Sequence, residues 1–134
     1  MRTCVLYFSR TGNTKRMAEA ISDSTKAPAF DIASSDPSVI KDFDLLILGT
    51  PVEGSRPAKE IFAFIERLPK AEGKKVILFC TYAIWKGSTF KVLAKELANK
   101  GYDTILNVSK KGVKPNEPAD FSDILEEIRK VLEK

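Results

Sequence analysis

A three-layer α/β/α domain around a five-stranded parallel sheet of order 2-1-3-4-5 is what this sequence predicts, on three observations. Short apolar runs rich in Val, Ile, Leu and Phe recur without the alternation of a half-exposed strand, as in strands covered on both faces. Between and after them stand segments whose apolar residues fall on one helical face. The two kinds of segment alternate, and parallel strands joined by right-handed helical crossovers satisfy that order. At 134 residues the chain has the size of one domain with one core, residues 1–134.

The elements follow in order. Thr3 to Phe8 reads as the first strand, and Met17 with Ile21 marks the first helix. Ala29 to Ile32 is a weaker second strand, and Ser34 to Asp42 leaves room only for a short helix or turn. Asp44 to Leu48 is the third strand, with a helix carrying Ile61, Phe64, Ile65 and Leu68 after it. Lys75 to Cys80 and the helix of Phe90, Leu93, Ala94 and Leu97 come next. Thr104 to Val108 is the last strand, and Phe121, Ile124, Leu125, Ile128 and Leu132 stripe the last helix. Ser109 to Ala119, with Gly112, Pro115 and Pro118, is the longest irregular stretch. Sheets of this kind bind ligands beyond the carboxyl ends of their strands at the topological switch point, here between the first and third strands. Function is therefore expected in the loops beginning near Ser9, Thr50, Thr81 and Ser109.

Composition narrows the chemistry. Hydrophobic residues make up 43% and charged residues 30%, which fits a folded globular chain. Twenty-two Lys and Arg against eighteen Asp and Glu give +4, with lysines spread from Lys15 to Lys134 among glutamates rather than gathered on one stripe. That pattern is solvated surface and predicts no nucleic-acid partner. No apolar run approaches the roughly 18 residues of a spanning helix, and no signal-peptide core follows Met1-Arg2. A soluble cytoplasmic protein with no membrane partner, a monomer or weak dimer, is expected. Histidine is absent, which removes His-ligated metals, Ser-His-Asp and Cys-His catalysis and imidazole acid-base chemistry. Cys4 and Cys80 lie in strand-like runs, where a thiol packs as a small hydrophobe.

The loop after the first strand, Ser9-Arg10-Thr11-Gly12-Asn13-Thr14, places three hydroxyls, an amide and a glycine before an amphipathic helix. Unpaired backbone N–H groups at a helix N-terminus, together with the helix dipole, favour a phosphate there even without a lysine. Simple capping of the helix by Ser, Thr and Asn accounts for the same residue types. Here the sequence resembles the flavodoxin family, whose phosphate loop reads Ser/Thr-x-Thr-Gly-x-Thr directly after the first strand. Ser9, Thr11, Gly12 and Thr14 fill the four fixed positions. The order of elements and the length match a short-chain flavodoxin along essentially the whole chain. The resemblance implies FMN as cofactor, its phosphate held by Ser9, Arg10, Thr11, Gly12, Asn13 and Thr14.

Two rival motifs share this stretch. Cys4 through Arg10 and Thr11 spells Cys-x5-Arg-Thr, the string of cysteine-dependent phosphatases. Their cradle needs small residues in a tight loop, whereas Val5, Leu6, Tyr7 and Phe8 continue a buried strand, so the match reads as coincidence. A receiver domain requires acidic residues at the end of the first strand, where Ser9 and Arg10 stand. No Gly-x-Gly-x-x-Gly or Walker pattern occurs.

Two further loops would meet a flavin. Thr50-Pro51-Val52-Glu53-Gly54-Ser55-Arg56-Pro57 reads as a rigid bend before a helix. In flavodoxins the equivalent loop lies against the flavin ring, and the resemblance nominates Gly54 as the residue whose peptide turns towards the reduced ring. The aromatic that flavodoxins often place there is missing, with Val52 and Glu53 in its neighbourhood. Thr81-Tyr82-Ala83-Ile84-Trp85-Lys86-Gly87 carries Tyr82 and the only Trp, either of which has a face suited to stacking on the ring. Closing the core or meeting a partner is the alternative use for both. Ser88 is expected to cap the following helix.

The resemblance implies an FMN-binding electron-transfer protein that shuttles electrons between redox partners, with no catalytic side chain and no metal. An FMN-dependent NAD(P)H or quinone-type reductase, and a flavodoxin-like binding module without FMN, are the alternatives. Arg56, Lys59, Lys86, Lys110, Lys111 and Lys114 lie in or near the candidate loops, which predicts a partner with an acidic docking surface or a small anionic substrate; scattered solubilising charge is the bland account.

Overall fold

In the computed structural model, residues 2–114 and 117–133 are described. The elements in chain order are β1 (Thr3–Tyr7), α1 (Asn13–Thr25), β2 (Ala29–Asp31), 3-10 turns at Ile32–Ser34 and Pro37–Asp42, β3 (Leu45–Glu53), β4 (Arg56–Pro57), α2 (Lys59–Arg67), β5 (Lys74–Tyr82), α3 (Thr89–Ala98), β6 (Tyr102–Lys111) and α4 (Ser122–Leu132). The parallel sheet runs β2-β1-β3-β5-β6, and the two-residue β4 folds back antiparallel on β3. Counting only the parallel strands, this is the predicted order 2-1-3-4-5.

The unbroken apolar runs arise because neighbouring residues of a strand serve two different cores. Cys4, Leu6, Leu46, Leu48, Val76 and Leu78 face Ile61 and Phe64 of α2 and Leu93 and Leu97 of α3. Val5, Tyr7, Leu45, Ile47, Ile77 and Phe79 face Met17 and Ile21 of α1 and Ile124 and Ile128 of α4. Every position is buried, so alternation never appears in the sequence.

Two strands are longer than expected, and both extensions reach the ligand end. β3 continues through Thr50, Pro51, Val52 and Glu53 because it stays in register with β5 as far as Pro51 opposite Thr81. The stretch Thr50–Pro57, expected as a loop, is therefore a strand end and a hairpin, with Val52 opposite Pro57 and Glu53 opposite Arg56. β6 continues to Lys111 because Cys80, Thr81 and Tyr82 pair with Ser109, Lys110 and Lys111. The irregular connection thus begins at Gly112, whose N–H donates to the Tyr82 carbonyl at 2.9 Å. Of the expected 109–119 loop, Pro115 lies outside the described residues. Among the described residues no helix is long and apolar enough to cross a membrane.

Candidate functional site: a cleft at the carboxyl end of the sheet

β1 ends at Tyr7, and the next five residues, Phe8 to Gly12, form the turn into α1. Gly12 sits at the N-cap with φ 97°, the left-handed region in which a side chain is strained. Ser9 braces the turn from inside: its Oγ accepts from the N–H of Gly12 and of Lys15, each at 3.1 Å. The Ser9 hydroxyl therefore shapes the loop, while the amides of Asn13 and Thr14 head the helix with no preceding carbonyl placed to accept from them. Thr14 is buried, and its Oγ1 lies 2.7 Å from Thr81 Oγ1, tying the loop to the end of β5. Thr11 stays exposed.

The hairpin after β3 is set by its own geometry. Thr50 Oγ1 accepts from the N–H of Ala58 at 3.0 Å and donates to the Pro51 carbonyl at 2.8 Å, closing the base of the hairpin. At its tip Gly54 and Ser55 both take positive φ, 59° and 65°, the pattern of a type I′ turn. Ser55 then docks onto the β5–α3 loop. Its Oγ accepts from Trp85 Nε1 at 2.7 Å, and its carbonyl accepts from the N–H of Ser88 at 3.0 Å. Gly87 makes this approach possible, since a Cβ there would lie 2.4 Å from the Ser55 carbonyl oxygen. Ser88 does stand at the N-cap of α3, but its hydroxyl donates to Ser55 at 3.4 Å and makes no capping bond.

Between these parts opens a cleft of about 320 Å³. Arg10, Thr11 and Asn13 line it from the phosphate-type loop, Pro51, Val52 and Glu53 from β3, and Thr81, Tyr82 and Ala83 from β5 and beyond. Nine of the expected residues thus share one wall system. Ser9, Gly12, Thr14 and Thr50 are not among its lining residues. Gly54, Trp85, Lys86 and Gly87 stand outside its lining, at the hairpin junction or beside it. Trp85 is 66% exposed and turned onto Ser55; Lys86 reaches Ser109 Oγ at 3.3 Å.

The remaining side comes from Gly112, Val113 and Lys114, within the stretch after the last strand where function is expected, although of these the sequence singles out only Lys114 for a role. Arg16 of α1 holds that wall, donating to the carbonyls of Lys114 at 2.7 Å and Glu117 at 2.6 Å. No motif in the sequence marks Arg16, because it recognises backbone rather than side chain.

Arg10 is the most heavily engaged side chain at the cleft. Its Nε donates to Glu53 at 2.5 Å and one terminal nitrogen reaches Glu53 at 3.0 Å and Glu60 of α2 at 2.9 Å. Its guanidinium also lies 5.0 Å from the centre of the Phe8 ring. The hydrogen bonds from Arg10 hold the Glu53 carboxyl below its ordinary range. Nothing brings Arg10 to Cys4, which is fully buried in β1 with its thiol pushed up to about 12 by burial. Cys80 is likewise buried, and its thiol is pushed up to about 12. A thiolate nucleophile is absent at both positions, and with it the phosphatase reading.

A family model described as a flavodoxin domain matches residues 4–113. The chain belongs to the flavodoxin family. A flavodoxin of Clostridium beijerinckii is 30% identical over 122 residues, 85% of this chain and 86% of that protein. A flavodoxin of Megasphaera elsdenii is 35% identical over 91 residues, 62% of this chain and 66% of its own. Among solved structures, oxidised flavodoxin 1 from Bacillus cereus aligns with a TM-score of 0.80 at 20% identity, covering 99% of this chain and 98% of that one. Two-electron reduced Megasphaera elsdenii flavodoxin aligns at 0.78 with 24% identity, covering 96% and 98%. The structural likeness is one of fold, and the sequence likeness carries the family. As a member of the flavodoxin family the protein is a flavin-dependent electron-transfer protein, and its cleft occupies the switch point between β1 and β3.

Proposed function

We propose that this flavodoxin-family protein is an electron carrier that holds FMN in the cleft. The phosphate would sit on the Ser9–Thr14 loop, and the ring would lie against Val52 and Glu53 on one side and Tyr82 and Ala83 on the other. The observation that carries the reading is the loop itself: unpaired amides at the head of α1, an exposed Thr11 and a left-handed Gly12 open onto a cleft of about 320 Å³. One polar group also asks for such a ligand. Asn13 Oδ1 is buried with no hydrogen-bond partner among the described residues, and a buried acceptor without a donor is costly. The ribityl hydroxyls of FMN are donors. The residues present therefore fit the group.

Bound FMN supplies reversible one- or two-electron transfer, and the protein supplies binding, orientation and access. No side chain is cast as acid, base or nucleophile. Trp85, outside the cleft lining and 66% exposed, stands beside Ile84 at 81%. Lys86 follows Trp85, Arg56 follows the Ser55 to which Trp85 donates, and Lys111 pairs with Tyr82 in the sheet. The nearby carboxylates Glu53 and Glu60 are committed to Arg10, and among the described residues Lys110 alone of the basic set meets an acid, Asp123 at 3.4 Å. An apolar centre with a basic rim suits a redox partner whose docking surface is acidic.

Comparing FMN with riboflavin tests the site. Titrating the apoprotein while following flavin fluorescence is expected to give much tighter binding of FMN, because only FMN carries the phosphate. Equal affinities would remove the loop from the binding site. Mixing the flavin-loaded protein with NADH or NADPH alone is expected to leave the flavin oxidised, whereas steady turnover would make it a reductase.

A further inference from the structure

The phosphate-type loop contains one cation, Arg10, and it is turned to two carboxylates instead of being left free for an anion. Glu53 takes two hydrogen bonds from it and Glu60 two more. The cluster carries one positive and two negative charges, and Arg10 and Glu53 both line the cleft while Glu60 does not. Lys59 is the other cation acting on Glu53.

We infer that Arg10 and Glu53 form an electrostatic couple that sets the flavin's reduction potential, Glu53 opposing the negative charge gained on reduction and Arg10 offsetting Glu53. This rests on FMN occupying the cleft. The reduction step that adds an electron without a proton makes the ligand more negative by one charge, so for that step a carboxylate at the wall disfavours the reduced state and a guanidinium favours it. Their effects must therefore have opposite signs. A mere latch between the loop and the hairpin makes a different prediction. Removing either partner of a latch breaks the same contact and moves any property that depends on it in the same direction.

The potential and the affinities are joined by one thermodynamic cycle: a change in potential equals the change in the ratio of dissociation constants for oxidised and reduced flavin. Arg10 is 46% and Glu53 35% exposed, so the effect is limited by screening. Exposed charge pairs shift equilibria by about 1.4- to 5-fold. About threefold in that ratio corresponds to about 28 mV for a one-electron step, at 59 mV per tenfold.

The test is a redox titration of the flavin-loaded protein as wild type, Arg10→Gln and Glu53→Gln, with Glu60→Gln as the gradient control. Arg10→Gln is expected to lower the potential and Glu53→Gln to raise it. Glu60→Gln should raise it by less, since Glu60 lies outside the cleft lining. Raising salt should shrink all three shifts. Shifts of the same sign for Arg10→Gln and Glu53→Gln, or no shift in either, would overturn the inference while leaving the FMN reading intact. If Arg10→Gln loses its flavin, the sign of the Glu53→Gln shift alone decides. Failure of the wild-type protein to bind FMN would instead overturn the reading on which the inference rests.

Discussion

Ser55 accepts a hydrogen bond at its Oγ from the indole Nε1 of Trp85 at 2.7 Å, joining the tip of the β3–β4 hairpin to the loop that follows β5. Because Trp85 is the only tryptophan, its fluorescence reports on this junction alone. Ser55→Ala leaves the indole without its acceptor and is expected to lower the fast-component anisotropy of Trp85. Unchanged anisotropy would mean that packing, not the hydrogen bond, holds the ring.

Gly87 faces the same junction from the other side. Its φ is 56°, and a methyl group would lie 2.4 Å from the Ser55 carbonyl oxygen and 2.5 Å from the Ser55 Cβ. Gly87→Ala is expected to destabilise the fold by about 1–3 kcal/mol, the range for a residue forced into a sparsely populated backbone region. Urea unfolding followed by circular dichroism measures this, and a loss well below that range would show that the two loops separate easily.

The Thr14 and Thr81 hydroxyls pair inside the protein at 2.7 Å. Removing one hydroxyl strands the other, so Thr14→Val and Thr81→Val should each cost about 1–3 kcal/mol. The double variant should cost less than the sum, because no polar group is left unpaired. A double-mutant cycle by chemical denaturation checks this, and strict additivity would contradict a direct coupling.

Glu53 titrates below its ordinary value of 4.5, chiefly through hydrogen bonds from Arg10. A lowered folded-state value gives a stabilising contribution that is present above 4.5 and is lost as pH falls towards the folded-state midpoint. The stability gap between wild type and Glu53→Gln should therefore shrink on acidification below 4.5. Carbon-detected NMR titration of the Glu53 carboxyl should show its midpoint rising in Arg10→Gln; an unmoved midpoint would contradict the pairing.

How much of this was legible in the sequence follows from what each feature depends on. The parallel sheet was legible because its strands are apolar at every position, Leu45 to Leu48 and Val76 to Cys80 among them. The phosphate-type loop was legible because its residue types are themselves the device. Strand ends were not, because Thr50, Pro51 and Ser109–Lys111 are held by pairing with β5, a partner distant in sequence, and Val52 and Glu53 by the hairpin with β4. The hairpin at Gly54 and Ser55 hid behind two prolines that equally mark a loop. Arg10 and Glu53 were both named as site residues, but their pairing spans 43 positions and involves Glu60, an ordinary helix residue by its neighbours. Arg16 and the Gly112–Lys114 wall depend on backbone carbonyls, which no side-chain pattern encodes.

The central claim is that the cleft holds FMN, and visible absorption tests it most directly. The purified protein is mixed with excess FMN, desalted and scanned. A retained flavin spectrum with its fluorescence quenched is the predicted result. A colourless protein after desalting would contradict the account.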